Sequence, residues 1–411
     1  MSDGQFFNSK TEPIPPLRPD LQIIPVKENG RTYLYFHDQQ GYATPEFALY
    51  REAAQLLSLF DGQKSITDLG DNGVDKQKLL EFVQLLDKNR LLTSEHFKNH
   101  AETVESEYEA SQTHSSVTSG ASYPADPQKL IDFLDAGFEK HAANEVPMDR
   151  QAKALYAPHI DPRVALGSYA KAFAPIRNLK PKRVVLLATS HYAGLYPDIY
   201  QDNPFILVDK DFELPLGTVR RDRQAIRELA AADSDLGISL HDRAHRKEHS
   251  IELHLLFLSY LWDHPFQIIP FVIRGLDDLF YKQDGHLAAQ LDKFATTLRD
   301  SYGRDEETFF LISGDLAHFG KKFGDDSPAS TMFEEVETFD QQFLTHSSQN
   351  DRSALLKLMT EELDPYRICG FPPLYTFLKA MPDLSGNIVS YDLWDERDRD
   401  SAVTFGSILY Q

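Results

Sequence analysis

The chain has 411 residues, 41% of them hydrophobic and 26% charged, enough apolar content for more than one globular domain and too much for a disordered protein. Its formal charge of −21 argues against a general affinity for nucleic acid or anionic membrane. One cysteine, Cys369, excludes an internal disulfide framework, no run is apolar over a bilayer's length, and the start from Met1 to Gln5 lacks a basic stretch followed by an apolar one, so a cytoplasmic protein is expected.

In chain order, Arg31 to Phe36 reads as a strand rich in aromatic residues, closed by the turn-prone Asp38-Gln39-Gln40-Gly41. Leu49, Ala53, Leu56, Leu57 and Phe60 share one face of a helix expected from Pro45 to Phe60, ended by Asp61-Gly62. Ser65-Ile66-Thr67-Asp68 has the form of a capping box, and Asp75 caps a longer helix carrying Leu79, Leu80, Val83, Leu86 and Leu91. From His96 to Thr118 the chain is polar and acidic, which predicts a flexible tether. The expected organisation is a small winged-helix-like domain over residues 1–95, a linker over 96–118 and a larger domain over 119–411.

The first block resembles the PqqD-like peptide-recognition domains, through Ala53-Ala54-Gln55-Leu56-Leu57-Ser58-Leu59-Phe60-Asp61-Gly62, Ser65-Ile66 and Asn89-Arg90-Leu91-Leu92. The resemblance implies a leader peptide that adds a strand to an open sheet edge, expected near Tyr33. A degenerate domain kept for packing or dimerisation is the alternative.

In the second block, strands are expected at Val184 to Thr189, Ile268 to Ile273 and Phe309 to Ser313, without polar alternation, as when both sheet faces are covered. Helices at Lys129 to Lys140, Asp222 to Ala231, Glu248 to Leu261, Gly285 to Leu298 and Met332 to Phe343 separate them. The predicted fold class is therefore α/β, a mainly parallel sheet flanked by helices. His159, His191 and His318 each follow an apolar run, a pattern that sends imidazoles to one crevice beyond the strand ends. His249 is placed in the first turn of its helix, where the dipole favours a neutral ring suited to a ligand or general base. His245-Arg246-Lys247-Glu248-His249 also fits the H-x-x-E-H pattern of inverted zinc peptidases, provided that His245 is helical.

Tyr123-Pro124-Ala125-Asp126-Pro127, Ala157-Pro158-His159, Ser190-His191-Tyr192, Glu248-His249-Ser250-Ile251-Glu252, Ser313-Gly314-Asp315-Leu316-Ala317-His318 and Cys369-Gly370 stand in the order found in the Memo family, whose prokaryotic members include protein B of the AmmeMemoRadiSam system. This resemblance implies the fold of class III extradiol dioxygenases. It implies His159 and His191 as metal ligands and His249 as a catalytic acid–base residue. The third ligand position is read as Ala317, which cannot coordinate, so Asp315 and His318 are the candidates to complete the shell. Their alternatives are a turn cap for Asp315 and a carbonyl contact for His318. Asp161, after His159, could ligate, orient the ring or only solvate the turn before Pro162. Cys369 reads as a packed small residue and Trp394 to Asp400 as a solvated loop.

Two functions fit these residues. The first is a non-haem metal-dependent redox or modification component, with iron or copper favoured over zinc, in a peptide-modification or radical-enzyme-linked pathway. The second is a non-catalytic protein that binds a peptide or partner in a vestigial dioxygenase-like cleft.

Overall fold

The computed structural model describes residues 6–70, 75–142, 152–232 and 234–411; the Met1 to Gln5 start read above for targeting lies outside them. Two compact units are present, Met1–Ala110 and Ser111–Gln411. Among the described residues no helix is long and apolar enough to cross a membrane.

In the first unit, Leu21–Glu28 and Arg31–Asp38 form an antiparallel hairpin. Its turn residues Asn29 and Gly30 both have positive φ, 50° and 77°, as a tight two-residue connection requires. Ala48–Tyr50 pairs on the other side of Arg31–Asp38, so the strand carrying Tyr33 is central, and the long strand with an outer edge is Leu21–Glu28. This strand replaces the first part of the helix expected from Pro45. Backbone pairing to Tyr33–Tyr35 holds 48–50 extended, and helix begins only at a 3-10 turn, Arg51–Ala53, followed by Ala54–Leu57. The capping box forms as its residues dictate: Ser65 Oγ donates to Asp68 at 2.7 Å and accepts from the Asp68 N–H at 3.2 Å. Asp75 caps Lys76–Lys88, which buries Leu79, Leu80, Val83 and Leu86.

The polar segment after residue 95 differs from the expected tether. Glu95–Ala110 is a helix, and Thr113–Ser115 is a strand parallel to Asp211–Leu214. A helix needs only one anchored face, and this one has it: Tyr42 donates its hydroxyl to buried Glu105, and the Arg18 guanidinium lies 4.2 Å from the Phe97 ring centre.

In the second unit the strands Ala154–Ala157, Thr308–Ser313, Arg183–Thr189 and Gln267–Ile273 lie side by side in that order, all parallel. Their side chains alternate between two cores. Val185, Leu187, Phe310 and Ile312 join Leu291, Phe294 and Phe377 on one face, while Val184, Leu186, Phe309 and Leu311 join Leu134, Phe173 and Phe257 on the other. Both faces are covered, which is why the strands read as unbroken apolar runs. The expected helices are observed as Pro127–His141, Arg223–Ala230, Glu252–Leu261, His286–Leu298 and Phe333–Ser348, close to their expected bounds except for the later start at Glu252 and the extension from Phe343 to Ser348. A closing hairpin, Gly386–Glu396 with Ser401–Tyr410, adds antiparallel strands beside Ala154–Ala157. Trp394 to Glu396 therefore belongs to a strand, and only Arg397 to Asp400 turns.

His254 sits wholly buried beside Phe173, and among the described residues neither ring nitrogen has a hydrogen-bond partner. Burial lowers its pKa to about 3, so the unfolded chain takes up this proton first as the pH falls below about 6.5. Its contribution to stability is complete above that value and is lost on the way down toward the folded pKa. His254→Leu is expected to raise stability by about 1 kcal/mol near neutrality, and its advantage over the parent should widen in acid. Parallel urea titrations at neutral and acidic pH would show this; an advantage that shrinks in acid contradicts it.

Candidate metal centre

Three parallel strands deliver the cleft residues to one rim. Ser313 lies level with both Ala157 and Ala188, so His159, His191 and Asp315, each two residues or so beyond those strand ends, emerge together. Ring centres of His159, His191 and His249 lie 5.0, 5.5 and 5.3 Å apart, with His191 and His249 stacked. The turn bearing Cys369 reaches the same place because two backbones touch there. A Cβ on Gly314 would lie 2.2 Å from the Gly370 Cα, and one on Gly370 would lie 2.2 Å from the Tyr156 hydroxyl. Thr189 Oγ1 donates to the Cys369 carbonyl at 2.6 Å and the Gly370 N–H donates to the Asp315 carbonyl at 2.9 Å, fixing the turn.

Hydrogen bonding sets which ring nitrogens face the cleft. The Ser313 hydroxyl donates to the Ser250 carbonyl at 2.6 Å, so its oxygen can only accept at His159 Nδ1, 3.0 Å away. His159 thus carries its proton on Nδ1 and presents a bare Nε2, 3.3 Å from Cys369 Sγ. His191 Nδ1 lies 3.0 and 3.1 Å from the two oxygens of Glu248, which also accepts the backbone N–H of His191 at 2.7 Å. Its Nε2 is left for the cleft. One ligand atom each of His159, His191 and Cys369 lie within 4.8 Å of one another. The Asp315 N–H donates to the sulfur at 3.3 Å, a contact that favours a thiolate.

The electrostatics follow from burial around one fixed negative charge. Burial holds His159 well below the ordinary imidazole range, helped by His191 and His249. Burial opposes the charge on His191 as well, but the Glu248 carboxylate outweighs it and raises that ring. Glu248 itself is wholly buried, yet His191 and nearby N–H groups hold its carboxyl well below the usual range. Burial lowers His249 and His318 to about 4 and raises Asp315 to about 7. Burial also pushes the Cys369 thiol up, with His191 pulling the other way. A cation entering here would displace the His191 and Cys369 protons, since ligands must be deprotonated.

The structure places the sequence-derived residues as follows. His159, His191, His249, Asp315 and His318 all line this region. Asp315 is not a turn cap: its Oδ1 accepts the N–H groups of His159 and Ile160 at 2.9 and 3.2 Å. His249 precedes the helix, which starts at Glu252 because the Glu248 carboxylate captures the N–H groups of His249 and Ser250 at 2.9 and 3.1 Å. Asp161 caps the helix Pro162–Phe173 and pairs with Arg163. Ala317 is buried in the apolar core with its N–H bonded to Thr404 Oγ1 at 2.8 Å, away from any ligand role. Cys369, read above as packing only, is the sulfur at the cleft. It stands far along the sequence with no ligand spacing to the histidines; its one signal was its place in the ordered motif set. The peptidase pattern fails geometrically. His245 lies in a 3-10 turn with its ring against His114 and Phe212, and Glu248 is occupied by His191.

A family model described as Memo-like protein matches residues 114–409. The chain belongs to the Memo family. A MEMO1 family protein of Aquifex aeolicus is 27% identical over 406 residues, covering 96% of this chain and all of that protein, so the likeness extends into the first unit. A MEMO1 family protein of Thermus thermophilus is 25% identical and spans 82% of this chain and 94% of its own length. The Protein memo-1 homolog of Caenorhabditis elegans is 24% identical over 65% of this chain and 71% of its own length. The Memo match contains every cleft residue named above, and the α/β fold with its mainly parallel sheet agrees with it.

Proposed function

We propose that His159 Nε2, His191 Nε2 and Cys369 Sγ hold a divalent metal ion, and that this cleft is a non-haem redox or modification centre acting on a peptide or small molecule. The observation that carries the reading is the pair of Nδ1 protons that His159 and His191 donate to Ser313 and Glu248, which leaves two Nε2 atoms converging on one sulfur. Two imidazoles and a thiolate suit copper or iron, whose redox states such a soft set supports, better than a purely structural zinc. When bound, the metal supplies Lewis acidity or electron transfer. The chain's own part is to orient the rings through Ser313 and Glu248 and to offer His249, a neutral and partly exposed imidazole, as proton acceptor. The non-catalytic alternative drew its support from Ala317. Cys369 supplies the third donor, which removes that support.

For the first unit, a PqqD-like role in peptide recognition is supported by the strand Leu21–Glu28, whose outer edge pairs with no strand among the described residues and whose Ile23, Ile24 and Val26 are exposed. A peptide encoded beside the protein, or a radical-enzyme partner, is the occupant this reading expects.

Anaerobic purification followed by elemental analysis tests the centre. Close to one ion or more per chain is expected in the parent, with His191→Ala depleted. A parent protein that stays metal-free after reconstitution with Fe(II) and with Cu(I) rejects it.

A further inference from the structure

We propose a second metal site in the same cleft, formed by Asp315, His318 and Cys369, with the Cys369 sulfur shared between two ions. The inference rests on the reading of His159, His191 and Cys369 as ligands and extends it from one ion to a pair. Among the described residues three three-residue donor sets have their ligand atoms within 4.8 Å of one another: in His191, Glu248 and His249 the carboxylate is taken up by the His191 ring and backbone N–H groups, while the other two, His159 with His191 and Asp315 with His318, share only Cys369.

The ring of His318 is oriented for this. Its Nδ1 faces the carbonyls of Leu316 and Arg367, at 3.1 and 3.2 Å. Carbonyls only accept, so Nδ1 must carry the proton and Nε2 is bare. Arg367 is itself held in place: its Nε donates to the His318 carbonyl at 2.9 Å and its guanidinium pairs with Asp325. This double tie between residues 318 and 367 resembles the way that Glu248 holds His191, a partner outside the ligand set that fixes ring orientation. The carbonyl contact and a ligand role for His318 are thus compatible.

Asp315 supplies the oxygen. Its Oδ1 is spent on two backbone N–H groups, while among the described residues no hydrogen bond reaches Oδ2, which lies 3.7 Å from the bare Nε2 of His159. Two lone pairs facing each other in a buried cleft repel unless a proton or a cation sits nearby. A proton on the buried Asp315 carboxyl or on the Cys369 thiol meets that need, and a cation bound between these groups would replace both protons. A thiolate sulfur has lone pairs for two metals, and an oxygen, a nitrogen and a sulfur make a donor set for a divalent first-row ion. Only deprotonation of the thiol and carboxyl accompanies binding, and the released protons pass to solvent.

The full chain, made metal-free and titrated anaerobically with Co(II) alone, tests the proposal. Both ions contact sulfur, so thiolate-to-cobalt charge-transfer absorption in the near ultraviolet is expected to grow through two equivalents. In His318→Ala it should stop at one. Asp315→Asn, which keeps an oxygen for the His159 and Ile160 N–H groups, should do the same and carries the test if His318→Ala does not fold. A parent that saturates at one equivalent overturns the second site and leaves the first standing. Two equivalents in the parent and in both variants overturn the assignment of Asp315 and His318. No cobalt bound by the parent defeats both readings together.

Discussion

Cys369→Ser is expected to lower metal affinity on the order of 100-fold or more while leaving the fold intact. A serine hydroxyl fills nearly the same space and can accept the Asp315 N–H that now meets the sulfur at 3.3 Å. It stays protonated where a thiolate forms, and it is a hard, neutral donor where copper or iron favours a soft anionic one. Retention against a competing chelator, measured anaerobically beside a thermal melt, separates the two effects. Equal retention in parent and variant would show that the sulfur is no ligand. Ala317→Cys should not restore binding in this background, because position 317 lies in the core and its backbone is tied to Thr404.

The second large effect belongs to a residue outside the ligand set. Glu248 is wholly buried and accepts from the His191 ring, the His191 N–H, the His249 N–H and the Ser250 N–H. Four donors converge on one carboxylate, which holds His191 in the tautomer that frees Nε2 and clamps the turn before the helix Glu252–Leu261. Glu248→Gln keeps the shape but turns one acceptor oxygen into a donor among donors. Breaking a buried charged pair from one side costs roughly 3–5 kcal/mol, and loss of a ligand's orienting partner costs roughly 10–100-fold in metal affinity. Denaturant unfolding of the metal-free protein and chelator competition on the loaded one read the two quantities separately. A variant as stable as the parent, with unchanged affinity, would reduce Glu248 to a bystander. Should stability fall while affinity holds, its role is confined to the fold.

Much of the cleft was legible before any coordinate. Apolar runs of four to eight residues ending in histidine are a local pattern, and parallel packing of such runs puts their ends on one rim, so His159 and His191 could be located from residues alone. Helix starts marked by a side chain that bonds its own backbone, at Ser65 and Asp75, were equally local and formed as read. The first unit shows the limit. Residues 48–50 have helical spacing, but their backbone meets the strand Arg31–Asp38, and a pairing partner outside the window overrides the local preference.

The proposed third donor, Cys369, shows the same limit in the site. A cysteine 178 residues beyond His191 becomes its neighbour only because Gly314 and Gly370 let two backbones cross with no side chain between them. Ala317 was taken for the missing ligand position because it sits within the Ser313 to His318 motif, yet the irregular backbone between the strands Thr308–Ser313 and His318–Gly320, tied to Thr404 at position 317, turns it into the core while Asp315 and His318 face the cleft. What the sequence determined by itself is the fold class, the Memo resemblance and the histidines at strand ends, since these depend on periodicity and on residues near one another in the chain. What only the tertiary structure decided is the sulfur, the protonation of each ring and the carboxylate behind His191, because each depends on a contact made after the sheet has formed.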